Sequence, residues 1–338
     1  MIEAHTVDAW VVSDALVRGQ TRYKLLQFLA GWAAPLFLFL AGVSVSLAAA
    51  SHLRKGKTSA EASWLVQKRG WQVVLLAYIF RLQSFMLSPA SPLASLLKVD
   101  ILNVMGLTMV MAAWCWGRGR SIKSSAWWLL VPAALCVILS QFAGAWAWPE
   151  VLGDRLQGYV RSVGDNANFS VLPWGGFVFA GAWLGRIFAE PRDASADRAL
   201  HIRIAVAGAA IFAIAFAGSY LPALTPLSRF WTNSTSFFLL RIGAMLALIS
   251  LAWLWMQRPS AAHWSPMVVF GQTSLFVYWI HVEIVYGFMT YPLRHELSIA
   301  GWLVAYAAFT LVMLGAALLW QRRSKHPLVP DFLRVPVH

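Results

Sequence analysis

Residues 235–256 read TSFFLLRIGAMLALISLAWLWM, with Arg241 the lone charge in the run. A helix rising 1.5 Å per residue over this length crosses the roughly 30 Å of hydrocarbon in a bilayer. The apolar residues are continuous and do not alternate with period two, which excludes a strand of a membrane barrel. Working outward with a window of about 19 residues, runs of the same kind recur at 25–50, 70–88, 99–116, 126–147, 171–189, 204–221, 267–289 and 299–320. The sequence therefore predicts an all-α, polytopic transmembrane helix bundle with nine spans. Its connections are short and hold the Pro, Ser and charged residues, as in Trp148-Pro149-Glu150 and Arg258-Pro259-Ser260.

Composition agrees. Of 338 residues, 59% are hydrophobic and 12% charged, about half the charged share of a soluble domain. The net charge of +13 raises the question of nucleic acid, and the placement of the Lys and Arg residues answers it. They concentrate on alternate loops: Arg54, Lys55, Lys57, Lys68 and Arg69, then Arg118, Arg120 and Lys123, then Arg186, Arg192, Arg198 and Arg203, then Arg258, and finally Arg322, Arg323 and Lys325. By the positive-inside rule these loops and the tail 321–338 are cytoplasmic. The charge marks orientation, so no nucleic-acid partner is expected. Cys115 and Cys136 both fall in spans and form no disulfide framework.

With nine spans and the C-terminus inside, residues 1–24 lie outside, yet they hold no signal peptide. Met1-Ile2-Glu3-Ala4-His5 reads as the outer end of a membrane helix. The expectation is a single membrane domain over 1–338, with 1–24 the remnant of a first helix and ten or more spans in the complete protein.

Ionisable residues inside spans are costly, about 3 kcal/mol each on insertion scales, and are functional candidates for that reason. They are Arg81, Asp100, Arg241, His281 and Glu283. On the orientation above, each lies in the outer half of its span, as do Asn103 and Trp174, with His5 ahead of the first span. Asp100 and Asn103 share a helix face; Asp100 is either a helix cap or a carboxylate that orients a base. Arg81 and Arg241 are either partners of Asp100 and Glu283 or clamps for an anionic group. His281 shares a face with Tyr278, whereas Glu283 lies about 200° around the helix and cannot orient it. An imidazole there is either a core histidine bonded to a backbone carbonyl or a general base for an acceptor hydroxyl or amine. His5, near Glu3 and Asp8, is a second base candidate. No metal spacing, phosphate loop or nucleophile elbow is present.

Four motifs, in order, are Ala34-Pro35-Leu36-Phe37-Leu38-Phe39-Leu40-Ala41-Gly42-Val43-Ser44, Lys98-Val99-Asp100-Ile101-Leu102-Asn103-Val104-Met105-Gly106-Leu107, Leu172-Pro173-Trp174-Gly175-Gly176-Phe177 continuing to Arg186, and Gly271-Gln272-Thr273-Ser274-Leu275-Phe276-Val277-Tyr278-Trp279-Ile280-His281-Val282. Together they resemble, over nearly the whole chain, bacterial membrane proteins related to the catalytic domain of heparan-alpha-glucosaminide N-acetyltransferase. That family usually opens with an Asp and an Arg-Gly pair, absent here, and then a Met and a polar residue, matched by Met1 and His5. The resemblance implies a bacterial cytoplasmic-membrane acyltransferase. Acetyl-CoA would be a co-substrate on the cytoplasmic side, with no permanently bound cofactor, and the acceptor an amine or hydroxyl of a sugar or glycan outside. His281, His5 and Asp100 are then the catalytic candidates, and Asn103, Arg81, Arg241, Trp174, Tyr278 and Glu283 the substrate-binding ones. The rival readings are a transporter or flippase for a polar lipid or sugar, and a non-catalytic assembly protein. The expected partners are the lipid bilayer, acyl-CoA and the sugar or glycan acceptor, with a homo-oligomer as a further candidate.

Overall fold

The computed structural model describes residues 1–14, 17, 19–87, 92–162, 169–222, 225, 230–258 and 264–324. Among these residues all regular structure is helical, apart from an isolated bridge between Val11 and Leu297. The α-helices run in chain order as α1 (Ile2–Trp10), α2 (Thr21–Ala30), α3 (Ala33–Arg54), α4 (Ser59–Leu87), α5 (Ile101–Arg118), α6 (Ile122–Ser140), α7 (Gly153–Val160), α8 (Val171–Phe188), α9 (Ala194–Gly218), α10 (Phe230–Asn233), α11 (Thr235–Met256), α12 (Pro266–Gln272), α13 (Ser274–Tyr286) and α14 (Ile299–Ser324).

Every predicted span is helical, but their ability to cross a membrane differs. Six segments are long and apolar enough: Thr21–Arg54, α6, α8, α9, α11 and α14. A seventh follows if α12 and α13, bent by 88°, count as one span. The expected nine therefore exceed seven by α4 and α5, and six by those two and the bent pair; α4 and α5 fall short for a physical reason. The α4 helix carries Gln67, Lys68, Arg69, Gln72, Arg81 and Gln83 along its length. On α5 most residues, Asn103 and Thr108 among them, are buried within the protein, so the helix has little need of a lipid-compatible surface. Two boundaries also move. The expected run 126–147 leaves the α-helix at Ser140 and continues as 3-10 turns, where Gly144 and the Trp148-Pro149 pair follow. The run 267–289 breaks at Thr273 and ends at Tyr286.

The helix starts are written in side chains. Ser121 Oγ accepts the Ser124 N–H at 3.1 Å, Asp193 Oδ1 the Ala196 N–H at 2.7 Å, and Ser234 Oγ the Phe237 N–H at 3.1 Å. Each satisfies a donor that the first helical turn leaves without a partner.

The chain forms two compact units. The first unit comprises residues 1–34, 82–91 and 258–338. In it α1 packs on α2, α13 and α14, around a core of Val7, Trp10, Val277, Val285, Trp302 and Met313. The second comprises residues 35–81 and 92–257, and its most extensive helix pairs are α9 with α11 and α6 with α8. Small residues set its crossings, as expected where van der Waals packing drives helix association in lipid. A Cβ on Gly42 would lie 2.0 Å from the Val178 carbonyl oxygen, and one on Gly181 would lie 2.0 Å from that of Phe39, so α3 and α8 meet backbone to backbone. Beside them Ser46 Oγ donates to the Ala182 carbonyl at 2.5 Å.

Candidate functional site

In the first unit α1 carries His5 and Asp8, and α13 carries Tyr278, His281 and Tyr286. The rings of His5 and His281 stand 5.2 Å apart, and the Tyr278 ring lies 5.8 Å from His281 and 6.5 Å from His5. His281 is 1% exposed. Its Nδ1 lies 2.6 Å from the Val277 carbonyl oxygen. A carbonyl only accepts, so in the neutral ring the proton sits on Nδ1. That leaves Nε2 with its lone pair, buried and without a hydrogen-bond partner among the described residues. The backbone-carbonyl bond expected of a core histidine is thus also what presents the second nitrogen as a proton acceptor.

His5 is oriented by a relay. The Tyr286 hydroxyl donates to Asp8 Oδ2 at 2.8 Å, and His5 Nδ1 lies 3.1 Å from the same hydroxyl. A phenol has one proton; with that proton given to Asp8, its oxygen accepts from His5 Nδ1–H. The α1 helix is itself tied down by Trp302, whose Nε1 donates to Thr6 Oγ1 at 3.1 Å. Glu283 is half-buried on α13.

In the second unit Asp100 is the N-cap of α5 and Asn103 completes a capping box. Asp100 Oδ1 accepts the Ile101 N–H at 2.7 Å, and the Asp100 N–H donates to Asn103 Oδ1 at 3.1 Å. Arg81 closes the network by donating to Asp100 Oδ2 at 2.5 Å. From Asn103 the network runs on: its Nδ2 donates to the Tyr159 hydroxyl at 3.2 Å, and that hydroxyl meets the one on Tyr78 at 2.7 Å. Burial, reinforced by Tyr78, pushes the Tyr159 phenol up from its ordinary value, so it stays protonated. Asp100, Asn103 and Arg81 thus form one connected group. His281 and His5 form another in the other unit, where Val277, and Asp8 through Tyr286, hold the orienting positions.

Arg241 and Trp174 are also in the second unit, where Trp174 and Tyr159 pack against one small core of Val99 and Val104. The guanidinium carbon of Arg241 stacks 3.7 Å from the centre of the Phe237 ring and lies 5.9 Å from that of Trp174. Trp174 in turn packs edge-on against Phe169 at 4.8 Å.

Tyr286 was not legible as a site residue. It lies five positions beyond His281, and its bonds to His5 and Asp8 cross more than 275 residues of chain, a closure no local spacing announces. Among the described residues there is no group of His, Cys, Asp and Glu side chains arranged to hold a metal ion.

Residues 1–220 match the sequence family described as heparan-alpha-glucosaminide N-acetyltransferase, catalytic. The chain belongs to that family. The matched segment includes His5, Arg81, Asp100, Asn103 and Trp174 and ends before Arg241 and His281, so it is shorter than the resemblance the four motifs implied. No curated protein matches the chain. Membership points to a membrane transferase, in keeping with the six or more apolar helices.

Proposed function

We propose that this family member is an acetyltransferase that moves the acetyl group of acetyl-CoA onto an amine or hydroxyl of a sugar or glycan, with His281 as general base. The observation that carries the reading is the buried His281 Nε2, whose lone pair is uncommitted in a ring 5.2 Å from that of His5. Such a nitrogen takes the proton of an attacking amine or hydroxyl as the new bond to the acetyl carbonyl forms. The thioester C–S bond then breaks, and the CoA sulfur takes up the proton that His281 has held. His5, held by the Tyr286–Asp8 relay, positions the acceptor or shares that proton. The basic loops suit the phosphates of CoA, which supports a donor on the cytoplasmic side of a bacterial cytoplasmic membrane and an acceptor opposite.

The 88° bend between α12 and α13 favours a second reading, a transporter. Broken helices line substrate paths when they recur in paired repeats. Among the described residues this is the one bent pair of its kind, and the acetyltransferase reading is preferred.

The test is transfer of labelled acetyl from acetyl-CoA to glucosamine and to a panel of amino-sugar and glycan acceptors by the full chain in liposomes. We expect His281→Ala to lose on the order of 10²–10⁴-fold in rate, the usual worth of a positioned acid or base, and His5→Ala to lose less. Turnover by His281→Ala equal to that of the native chain overturns the assignment.

A further inference from the structure

Arg241 lines a cavity of about 10 Å³, the room of one water-sized group, together with Trp174, Phe177, Ser234 and Phe237. We propose that this cavity is an oxyanion-binding site that takes the terminal oxygen of a phosphate or carboxylate group. Four observations converge on it.

Arg241 is 8% exposed, and its Nε is enclosed with no acceptor. Among the described residues no carboxylate pairs with it, whereas Arg81 is neutralised by Asp100 at 2.5 Å. A guanidinium keeps its charge under all ordinary conditions, and a buried charge is kept only when something compensates it.

Phe237 covers the face of the guanidinium at 3.7 Å. A ring can shield that face but cannot accept the in-plane N–H groups, which remain directed for the bidentate geometry that carboxylate and phosphate oxygens fit.

Ser234 lines the same cavity. Its oxygen is used in accepting the Phe237 N–H, which leaves its own proton to donate.

Finally, Ser234 is the N-cap of α11, a helix of 22 residues. The positive end of the helix dipole therefore lies beside the cavity, which Ser234 and Phe237 of that first turn line. The start of α11 is tied to α6 through Gln141, the residue that ends α6, whose Nε2 donates to Thr235 Oγ1 at 2.7 Å. The cavity is too small for a whole ligand, so the group bound is the end of a larger molecule or a small free anion: a lipid headgroup or a soluble phosphate or carboxylate. The proposal does not rest on His281 acting as a base, although Arg241 and Trp174 are among the substrate-binding residues that the family resemblance implies.

The test follows the thermal unfolding midpoint of the full chain in phosphatidylcholine nanodiscs. Inorganic phosphate or acetate is titrated against chloride at equal ionic strength, and a parallel sample contains phosphatidylglycerol. Ligand binding to the folded state raises the midpoint in a saturable way. A rise with phosphate or acetate identifies a soluble anion as the source, and a rise confined to the phosphatidylglycerol sample identifies a headgroup. In either case Arg241→Met should raise the half-saturating amount by about 10-fold or more, as expected for loss of a charge-assisted pair, and Ser234→Ala should raise it by less. No rise with any of the three anions, or an equal rise in Arg241→Met, overturns the proposal. Should Arg241→Met fail to fold, an unchanged half-saturation in Ser234→Ala overturns it.

Discussion

At the scale of single residues, the same side chain often satisfies its own polar atoms and presents one to a reactant. His281 shows this: its bond to Val277 settles the tautomer and thereby exposes Nε2. Asp100 shows the opposite outcome, because the Ile101 N–H, the Asn103 box and Arg81 occupy its oxygens. This leads to a stability prediction. Arg81→Met strands a half-buried carboxylate and should lower stability by about 1–3 kcal/mol. Adding Asp100→Asn, which keeps a competent cap without the charge, should restore most of it; unfolding midpoints of the two single variants and the double variant check this. The ionisable candidates themselves were legible in the sequence, since a charge inside an apolar run is conspicuous. Which of them meet was not, because Arg81 to Asp100 and His5 to His281 are closed by packing between helices.

At the scale of helices, glycine placement decides how closely neighbours approach. The α3–α8 crossing leaves no volume for a side chain at Gly42 or Gly181. Gly70 on α4 and Gly106 on α5 are paired likewise, each barring a Cβ on the other at under 3.0 Å. Gly181→Val should therefore destabilise by at least the 1–3 kcal/mol typical of overpacking, seen as a lower unfolding midpoint. Gly271, with nothing near its Cβ position, should accept alanine with little change. Helix positions were legible because lipid demands long apolar runs. The break at Thr273 was marked only by the short polar stretch Gly271-Gln272-Thr273-Ser274, with no proline to announce a bend.

At the scale of the whole molecule, the alternation of basic loops sets the expected orientation, and the membrane count turns on α4, α5 and the bent α12–α13 pair. If both cross, Leu93, between them and 74% exposed, lies on the face opposite Lys57. Leu93→Cys should then react with a membrane-impermeant maleimide added outside intact cells while Lys57→Cys does not. Equal protection of both would mean that α4 and α5 do not cross. The native Cys115 and Cys136 are each only 6% exposed and should contribute little background. The family assignment makes acetyl transfer the central claim, and its most direct test avoids the choice of acceptor. Equilibrium binding of labelled acetyl-CoA to the full chain in nanodiscs should be saturable, and His281→Ala should keep that binding while losing transfer. Absence of saturable acetyl-CoA binding by the folded, unsubstituted chain would contradict the account.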